Sequence, residues 1–336
     1  MHAAFLAVPR ERFVPDVPLE QVYRDDVVVT KRDERGIPVS SSSQPQIMAR
    51  MLERLALDPG QRVLEIGAGT GYNAALLKTI VGPRGRVVTV DVDPELARGA
   101  RDALRGAGVR VVVGDGREGW SRGAPYDRIV ATVATGEIPA AWRDQLVDGG
   151  LLELPLVLPR GEQVVATFRR EGARLRSVAL VPGGFMQLRG TEPYNPPALH
   201  ASLGTRLLVQ LSGEAVGRLS EGAARRLLAV AVGEPRRVPV RPVARWLLRL
   251  RLALSLPDAR AVQSHTIGFG VVGRGGRSLA LADTSWERRG TPTRHLLAYG
   301  DTEAEEYLRR AIARLPAGPP ELAVEFAGGR SRVTYR

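Results

Sequence analysis

The chain has 336 residues, 44% of them hydrophobic, no cysteine, and a formal net charge of +12. That length suits about two domains; the lack of Cys excludes disulfides, thiolate metal sites and a Cys nucleophile, and no apolar run reaches the ~18 residues of a membrane span. Lysine occurs only at Lys31 and Lys78, so almost all of the 48 basic residues are arginine; scattered among acids, they read as codon bias before they read as attraction for acidic peptides or nucleic acid.

The first residues show no basic n-region and apolar h-region, so no signal peptide is expected and a cytoplasmic protein is favoured. The four histidines, His2, His200, His265 and His295, have no ligand spacing, and no metal is expected. Residues 1–35 are polar and loop-rich. Ile47, Met48, Met51, Leu52 and Leu55 then fall at helical spacing behind Pro45, a first-turn proline. Asp58-Pro59-Gly60 stops that helix. Residues 63–66 read as a strand, followed by Gly67-Ala68-Gly69-Thr70-Gly71 and a helix from Tyr72. A strand, glycine loop and helix open a nucleotide-type α/β fold. Tyr72 stands where a dinucleotide fingerprint has its third glycine, which disfavours a pyrophosphate and suits S-adenosylmethionine (SAM).

Residues 86–91 form the next expected strand. It ends in Asp91, about 20 residues past the loop, where such folds place an acid on ribose hydroxyls. Residues 94–107 read as a helix, and 111–116 as a strand ending in Asp115-Gly116, where SAM enzymes place an acid at the adenine edge. Strands over 126–132 and 151–156, a helix over 138–146 and a hairpin over 164–169 and 175–181 complete an α/β, Rossmann-like SAM-dependent methyltransferase domain, assigned to residues 1–195. A Pro-rich break at 192–197 leads to an added C-terminal α+β domain, residues 196–336. It has helices at 220–232, with Ser220 as N-cap, and at 302–315. Its strands are expected at 246–256, where Leu alternates with Arg and Ala, and at 266–272, 278–282, 296–299, 322–326 and 332–335. Its expected role is peptide recognition or an accessory one.

The cofactor-binding candidates are Glu65, Gly67, Gly69, Thr70, Gly71, Asp91, Asp115 and Gly116. Glu65 is placed for the sulfonium's side or a loop N–H, and Thr70 and Tyr72 for the methionine end. Thr132, Val133 and Ala134 follow the fourth strand at the sheet edge where substrates bind. The Asn-Pro-Pro-Tyr of amine methyltransferases is absent there, which argues against nucleic-acid N-methylation; Asn195-Pro196-Pro197 is a false echo in the linker.

With these segments placed, residues 8–190 resemble the protein-L-isoaspartate O-methyltransferase family. The carriers are Phe13-Val14-Pro15, Ser43-Gln44-Pro45, the Glu65-to-Gly71 loop, Gly114-Asp115-Gly116, Ala124-Pro125-Tyr126-Asp127 and Gln145-Leu146 before Gly149-Gly150. The resemblance implies SAM-dependent esterification of an (iso)aspartyl carboxylate, with the ester closing to a succinimide. It puts Ser43 on the family's active-site serine, with Ser42 and Ser41 as helpers, and aligns Gln163 with a glutamine that contacts peptide. Ser41 replaces a threonine and Ser42 an apolar residue. No counterpart is expected in the repair enzymes for the domain after Asn195. These departures favour the branch that modifies aspartate in ribosomal peptide precursors; the alternative is repair of isoaspartyl residues in damaged proteins.

Overall fold

The computed structural model describes residues 1–188, 197–203, 207–264, 268–283, 291–328 and 330–335. The chain divides into two units. The first comprises Met1–Val157, Gln163–Glu192 and Glu321–Arg336; the second comprises Leu158–Glu162 and Pro193–Pro320. The expected boundary at 195/196 therefore misses the return of the last residues to the first unit. Of the Pro-rich break itself, only Pro197 lies within the described residues.

The first unit opens with a short helix α1 (His2–Ala7), a turn of helix α2 (Leu19–Val22) and an antiparallel hairpin of β1 (Val28–Arg32) and β2 (Pro38–Ser42); all but β2 fall in residues 1–35, the stretch read as loop-rich. Helix α3 (Pro45–Arg54) starts on its proline and buries Met48, Met51 and Leu52. The apolar runs that follow are strands: β3 (Arg62–Ile66), β4 (Arg86–Asp91), β5 (Val109–Val113), β6 (Tyr126–Ala131), β7 (Leu146–Val157), β8 (Gln163–Glu171) and β9 (Arg174–Pro182). Between them run α4 (Tyr72–Val81), α5 (Pro94–Ala103) and α6 (Ala140–Gln145). The sheet order is β18-β17-β9-β8-β7-β6-β3-β4-β5, where β17 (Leu322–Ala327) and β18 (Arg330–Tyr335) are the chain's last strands. Strands β7-β6-β3-β4-β5 are mutually parallel. The order reverses between β3 and β6, and ligands of such sheets bind outside the strand ends at that reversal.

Strands β17 and β18 were expected to close the second domain. Instead β17 pairs antiparallel with β9, Ala323 opposite Arg176 and Val324 opposite Leu175. Alternation shows that a segment is a strand but not which edge it joins, and here the edge belongs to a sheet more than a hundred residues earlier.

The second unit is a seven-stranded antiparallel sheet ordered β10-β11-β13-β14-β15-β16-β12. Its strands are β10 (Ala198–Leu203), β11 (Leu207–Ser212), β12 (Arg236–Ala244), β13 (Ala261–Ser264), β14 (Gly268–Val272), β15 (Ser278–Ala282) and β16 (Pro292–Gly300). Its helices are α7 (Glu214–Gly217), α8 (Glu221–Ala231), α9 (Arg245–Ser255) and α10 (Glu303–Arg314). Ser220 caps α8 by accepting the Ala223 N–H, as its sequence position suggests. Residues 265–267, the start of one expected strand and the place of His265, lie outside the described residues. Among the described residues of this unit, four strands escaped the sequence reading: β10, β11, β12 and β13. Strand β12 carries Pro239 and Pro242, which only an edge position tolerates.

Residues 246–256, expected as a strand, form the helix α9. The alternation misleads because the arginines are buried too. Arg245, Arg249 and Arg251 lie inside with the leucines. Arg249 pairs with Glu162, Arg245 with Asp283, and Arg251 donates to the Gly318 carbonyl at 2.6 Å. Once these charges have partners, the strong helix formers Leu, Arg and Ala decide the conformation.

One core carboxyl of the first unit makes a test of the packing. Glu153 in β7 is fully buried; Thr167 Oγ1 donates to its Oε1 at 3.2 Å, and Oε2 has no hydrogen-bond partner. Burial pushes its pKa up to about 8, against the opposing field of Arg54 and the Thr167 bond. The folded value lies above the unfolded one, so this group's stabilising contribution is complete at acid pH and is lost as pH rises through about 8. Glu153→Gln is expected to flatten that slope and raise stability at pH 8.5 by about 2–4 kcal/mol. Denaturant unfolding at pH 5 and pH 8.5 checks it; an unchanged slope refutes it.

Candidate methyl-transfer site

The loop Gly67–Gly71 lies at the carboxyl end of β3. Gly67, Gly69 and Gly71 have φ of +97°, +50° and +86°, conformations that side chains resist. A Cβ on Gly67 would stand 2.7 Å from Thr132 Oγ1 and 3.2 Å from Val133 Cγ1. Thr132 donates that hydroxyl to the Gly67 carbonyl at 2.9 Å. The structure thus joins the loop to the residue after β6, across the reversal in strand order.

Asp91 ends β4 and is nearly buried. Its Oδ2 accepts the Gly69 N–H and its Oδ1 the Asp93 N–H, each at 3.0 Å. Asp91 therefore shapes the loop as well as standing at the ribose position. Asp115 follows β5. Arg117 grips its carboxylate at 2.9 and 2.6 Å, and this pairing holds its pKa below the usual range. Gly116 is buried beneath Ile66: a Cβ there would meet Ile66 Cγ2 at 2.6 Å. Its carbonyl accepts the Trp142 indole N–H at 2.8 Å.

Glu65 is placed differently from expectation. It is fully buried, with Asn73 Nδ2 on Oε1 at 2.8 Å and Thr89 Oγ1 on Oε2 at 2.5 Å, and it touches no loop N–H. Burial pushes its pKa up to about 7, while the Thr89 and Asn73 bonds work the other way. It ties α4 to β4 beneath the loop. Tyr72 is a packing residue, 4% exposed and set between Phe5 and Phe13. Thr70 accepts the Tyr72 N–H at 3.4 Å.

The serines line the β1–β2 hairpin, which runs past the loop: from a Cβ on Gly69, the Ser41 carbonyl would be 3.6 Å away and Ser40 Oγ 3.9 Å. Strand alternation separates them. Ser40 and Ser42 are buried, Ser41 is half-buried on the other face, and Ser43, just past the strand, is half-buried. Ser42 Oγ accepts from Arg10 Nε at 3.4 Å, so Ser42 serves the scaffold rather than a substrate. Ser40, which the sequence reading passed over, accepts from Thr30 Oγ1 at 3.1 Å.

Two more residues were missed. Arg10 is 1% exposed and reaches the carbonyls of Val22 (2.6 Å), Asp26 (3.3 Å), Ser42 (3.3 Å) and Ser43 (3.0 Å). Lys31 Nζ joins the hairpin to the start of α5 through Asp93 at 2.9 Å and Glu95 at 2.6 Å. Its rarity in an arginine-rich chain was the available signal.

On the substrate side, Ala134 has both backbone groups taken, its N–H by Met186 and its carbonyl by Leu188, each at 2.7 Å. Gln163 Oε1 accepts the Phe185 N–H at 2.8 Å, which orders the 183–186 turn. Both are bracing residues. Thr132 and Val133 are half-buried beside the loop.

The loop carries no basic side chain, and Asp91 and Asp115 stand on neighbouring strand ends. Open glycine backbone, flanking acids and a loop without a cationic side chain fit a cationic sulfonium with its ribose, and not a pyrophosphate. Among the described residues there is no group of three His, Asp or Glu able to hold a metal, and no helix is long and apolar enough to cross a membrane. Fold and loop together define a Rossmann-like, SAM-dependent methyltransferase.

Known proteins narrow the class. The family description Protein-L-isoaspartate(D-aspartate) O-methyltransferase matches residues 1–188, and the chain belongs to that family. It is 43% identical over 159 residues to the protein-L-isoaspartate O-methyltransferase of Thermotoga maritima, covering 46% of this chain and half of that protein. It is 38% identical over 190 residues to that of Ignicoccus hospitalis, covering 53% of this chain and 86% of the relative. A solved structure titled protein-L-isoaspartate O-methyltransferase is similar over 99% of this chain and 93% of its own, with a TM-score of 0.55 and 25% identity. That coverage corrects the expectation that the second unit has no counterpart among the repair enzymes.

Proposed function

We propose that this chain methylates the free carboxylate of isoaspartyl residues in proteins or peptides. The observation that carries the reading is the serine hairpin held against the glycine loop, Ser41 beside Gly69, with Arg10 fixing its backbone. SAM supplies the electrophilic methyl group. A carboxylate with an ordinary pKa near ~4 is already ionised at neutral pH, so no strong base is required. The protein's task is to hold that oxygen in line with the methyl, at about 3 Å, and to exclude water. The Ser43 hydroxyl is the orienting donor: the residue follows β2 directly, is half-buried, and its carbonyl is anchored by Arg10. A hydroxyl aligns the oxygens without the ion pair that would quench them. The methyl ester then loses methanol to the following backbone nitrogen and closes to a succinimide.

The reading first favoured, modification of aspartate in a ribosomal peptide precursor, rested on the altered serine run and the added domain. With a counterpart to that domain in a structure titled protein-L-isoaspartate O-methyltransferase, the second support is gone, and isoaspartyl methylation is the better reading. Incubation with SAM and matched Asp and isoAsp peptides, read by mass spectrometry, tests it. A methyl gain on the isoAsp peptide alone is expected; a gain on the Asp peptide alone, or on neither, overturns the proposal. Ser43→Ala is expected to cost about 100-fold in kcat with SAM affinity retained. Full turnover in that variant removes Ser43 from the mechanism.

A further inference from the structure

The segment from Thr132 to Ile138 leaves β6 beside the glycine loop and is braced at almost every residue. The Thr132 N–H bonds the Ile66 carbonyl at 2.9 Å, and Ala134 is held by Met186 and Leu188. Thr135, 1% exposed, donates its N–H to Pro155 at 3.1 Å, accepts from Val157 at 2.9 Å, and turns its hydroxyl to the Glu137 carbonyl at 2.7 Å. The far end is held by β18. Ser331 Oγ accepts the N–H of the buried Ile138 at 2.8 Å, and the Ser331 N–H donates to Glu137 Oε1 at 3.3 Å. Arg143, in α6 just beyond, stacks 4.3 Å over the Phe326 ring of β17.

The braces come from both flanks of the second unit's main stretch, Pro193–Pro320: Met186 and Leu188 precede it in sequence, and Ser331 follows it. All of these contacts lie within the first unit. The segment's other end bears on Gly67 through the Thr132 hydroxyl.

We infer that Ser331 is a positioning residue for methyl transfer: its hydroxyl holds Ile138, and through Ile138 it sets the Thr132–Val133 backbone that flanks the glycine loop at Gly67. The inference rests on the proposed function for its kinetic arm only. Loss of a single hydrogen bond to a neutral group predicts a five- to tenfold effect.

The test compares the full-length wild type with Ser331→Ala and Ser331→Thr. For Ser331→Ala we expect kcat/KM for an isoAsp peptide to fall about five- to tenfold, with the dissociation constant for SAM within about twofold. Ser331→Thr, which keeps the hydroxyl acceptor, is expected to restore activity. Hydrogen exchange supplies an arm independent of substrate: the Ile138 amide is expected to exchange about five- to tenfold faster in Ser331→Ala. A lower melting temperature with unchanged kcat/KM would make Ser331 merely structural and overturn the inference, leaving the proposed function intact. A wild type inactive on the isoAsp peptide would sink the proposed function. In that case unchanged Ile138 exchange in Ser331→Ala still overturns the inference, and faster exchange supports its structural half.

Discussion

Replacing Arg10 by alanine is expected to lower the unfolding free energy by about 3–5 kcal/mol, because each buried carbonyl left unpaired costs about 1–3 kcal/mol and several are released at once. The guanidinium is 1% exposed and gathers the carbonyls of Val22, Asp26, Ser42 and Ser43 around one cation. Burial pushes its pKa down from the ordinary value, with neighbouring Tyr72, Asp25 and Asp26 acting against that. Arginine remains charged in proteins, so the charge stays and must stay bonded. Arg10→Lys is expected to fail as a rescue: one ammonium on a flexible stem cannot span two chain segments that a planar fork with five donors reaches. Urea unfolding at pH 7 measures the effect. A loss below about 1 kcal/mol would mean that water replaces the arginine without cost, and would refute the account of how the serine strand is held.

Gly67→Ala is the second large effect, and it acts on binding. Holding a non-glycine residue at φ +97° costs about 1–3 kcal/mol, and the new methyl would sit 2.7 Å from the hydroxyl that ties Thr132 to the loop. Relief requires the loop to move away from β6. The expected outcome is a SAM affinity weakened on the order of 100-fold, read by calorimetry, with the fold retained by circular dichroism. Gly99→Ala is the control. Gly99 lies inside α5 with open space around it and no positive φ. It should bind SAM as the wild type does and gain about 0.5–1 kcal/mol of stability. Equal SAM affinity in Gly67→Ala and wild type would move the cofactor away from this loop.

What was legible in the sequence was mostly local. The glycine loop, Asp91, Asp115 and the parallel strands are written in contiguous residues whose geometry follows from their own chemistry. The serine run was legible as a run but not by role. Strand alternation sorts it, turning Ser42 toward Arg10 and leaving Ser41 on the other face, and that reading needed the strand to be known. Glu65 was expected at the ligand because it ends the strand before the loop; the side chain points into the core instead, to Asn73 and Thr89. Helix α9 was misread because an exposed arginine and a buried, paired one look alike in a string of letters. The partners of β17, the reach of Arg10 and the bond from Ile138 to Ser331 join residues far apart in sequence. No short window records them.

The return of β17 to β9 has a consequence for how the molecule is made. Synthesis runs from the N-terminus, and domains generally fold in the order in which they emerge. Here the first unit cannot finish in that order: the strands at one edge of its sheet follow the whole second unit in sequence. Until then β9 presents an open row of backbone donors and acceptors, the kind of edge on which chains aggregate. Its completion waits on a contact of very long sequence separation, which is slow to form. A chain cut near Asn195 would be left permanently in that nascent condition.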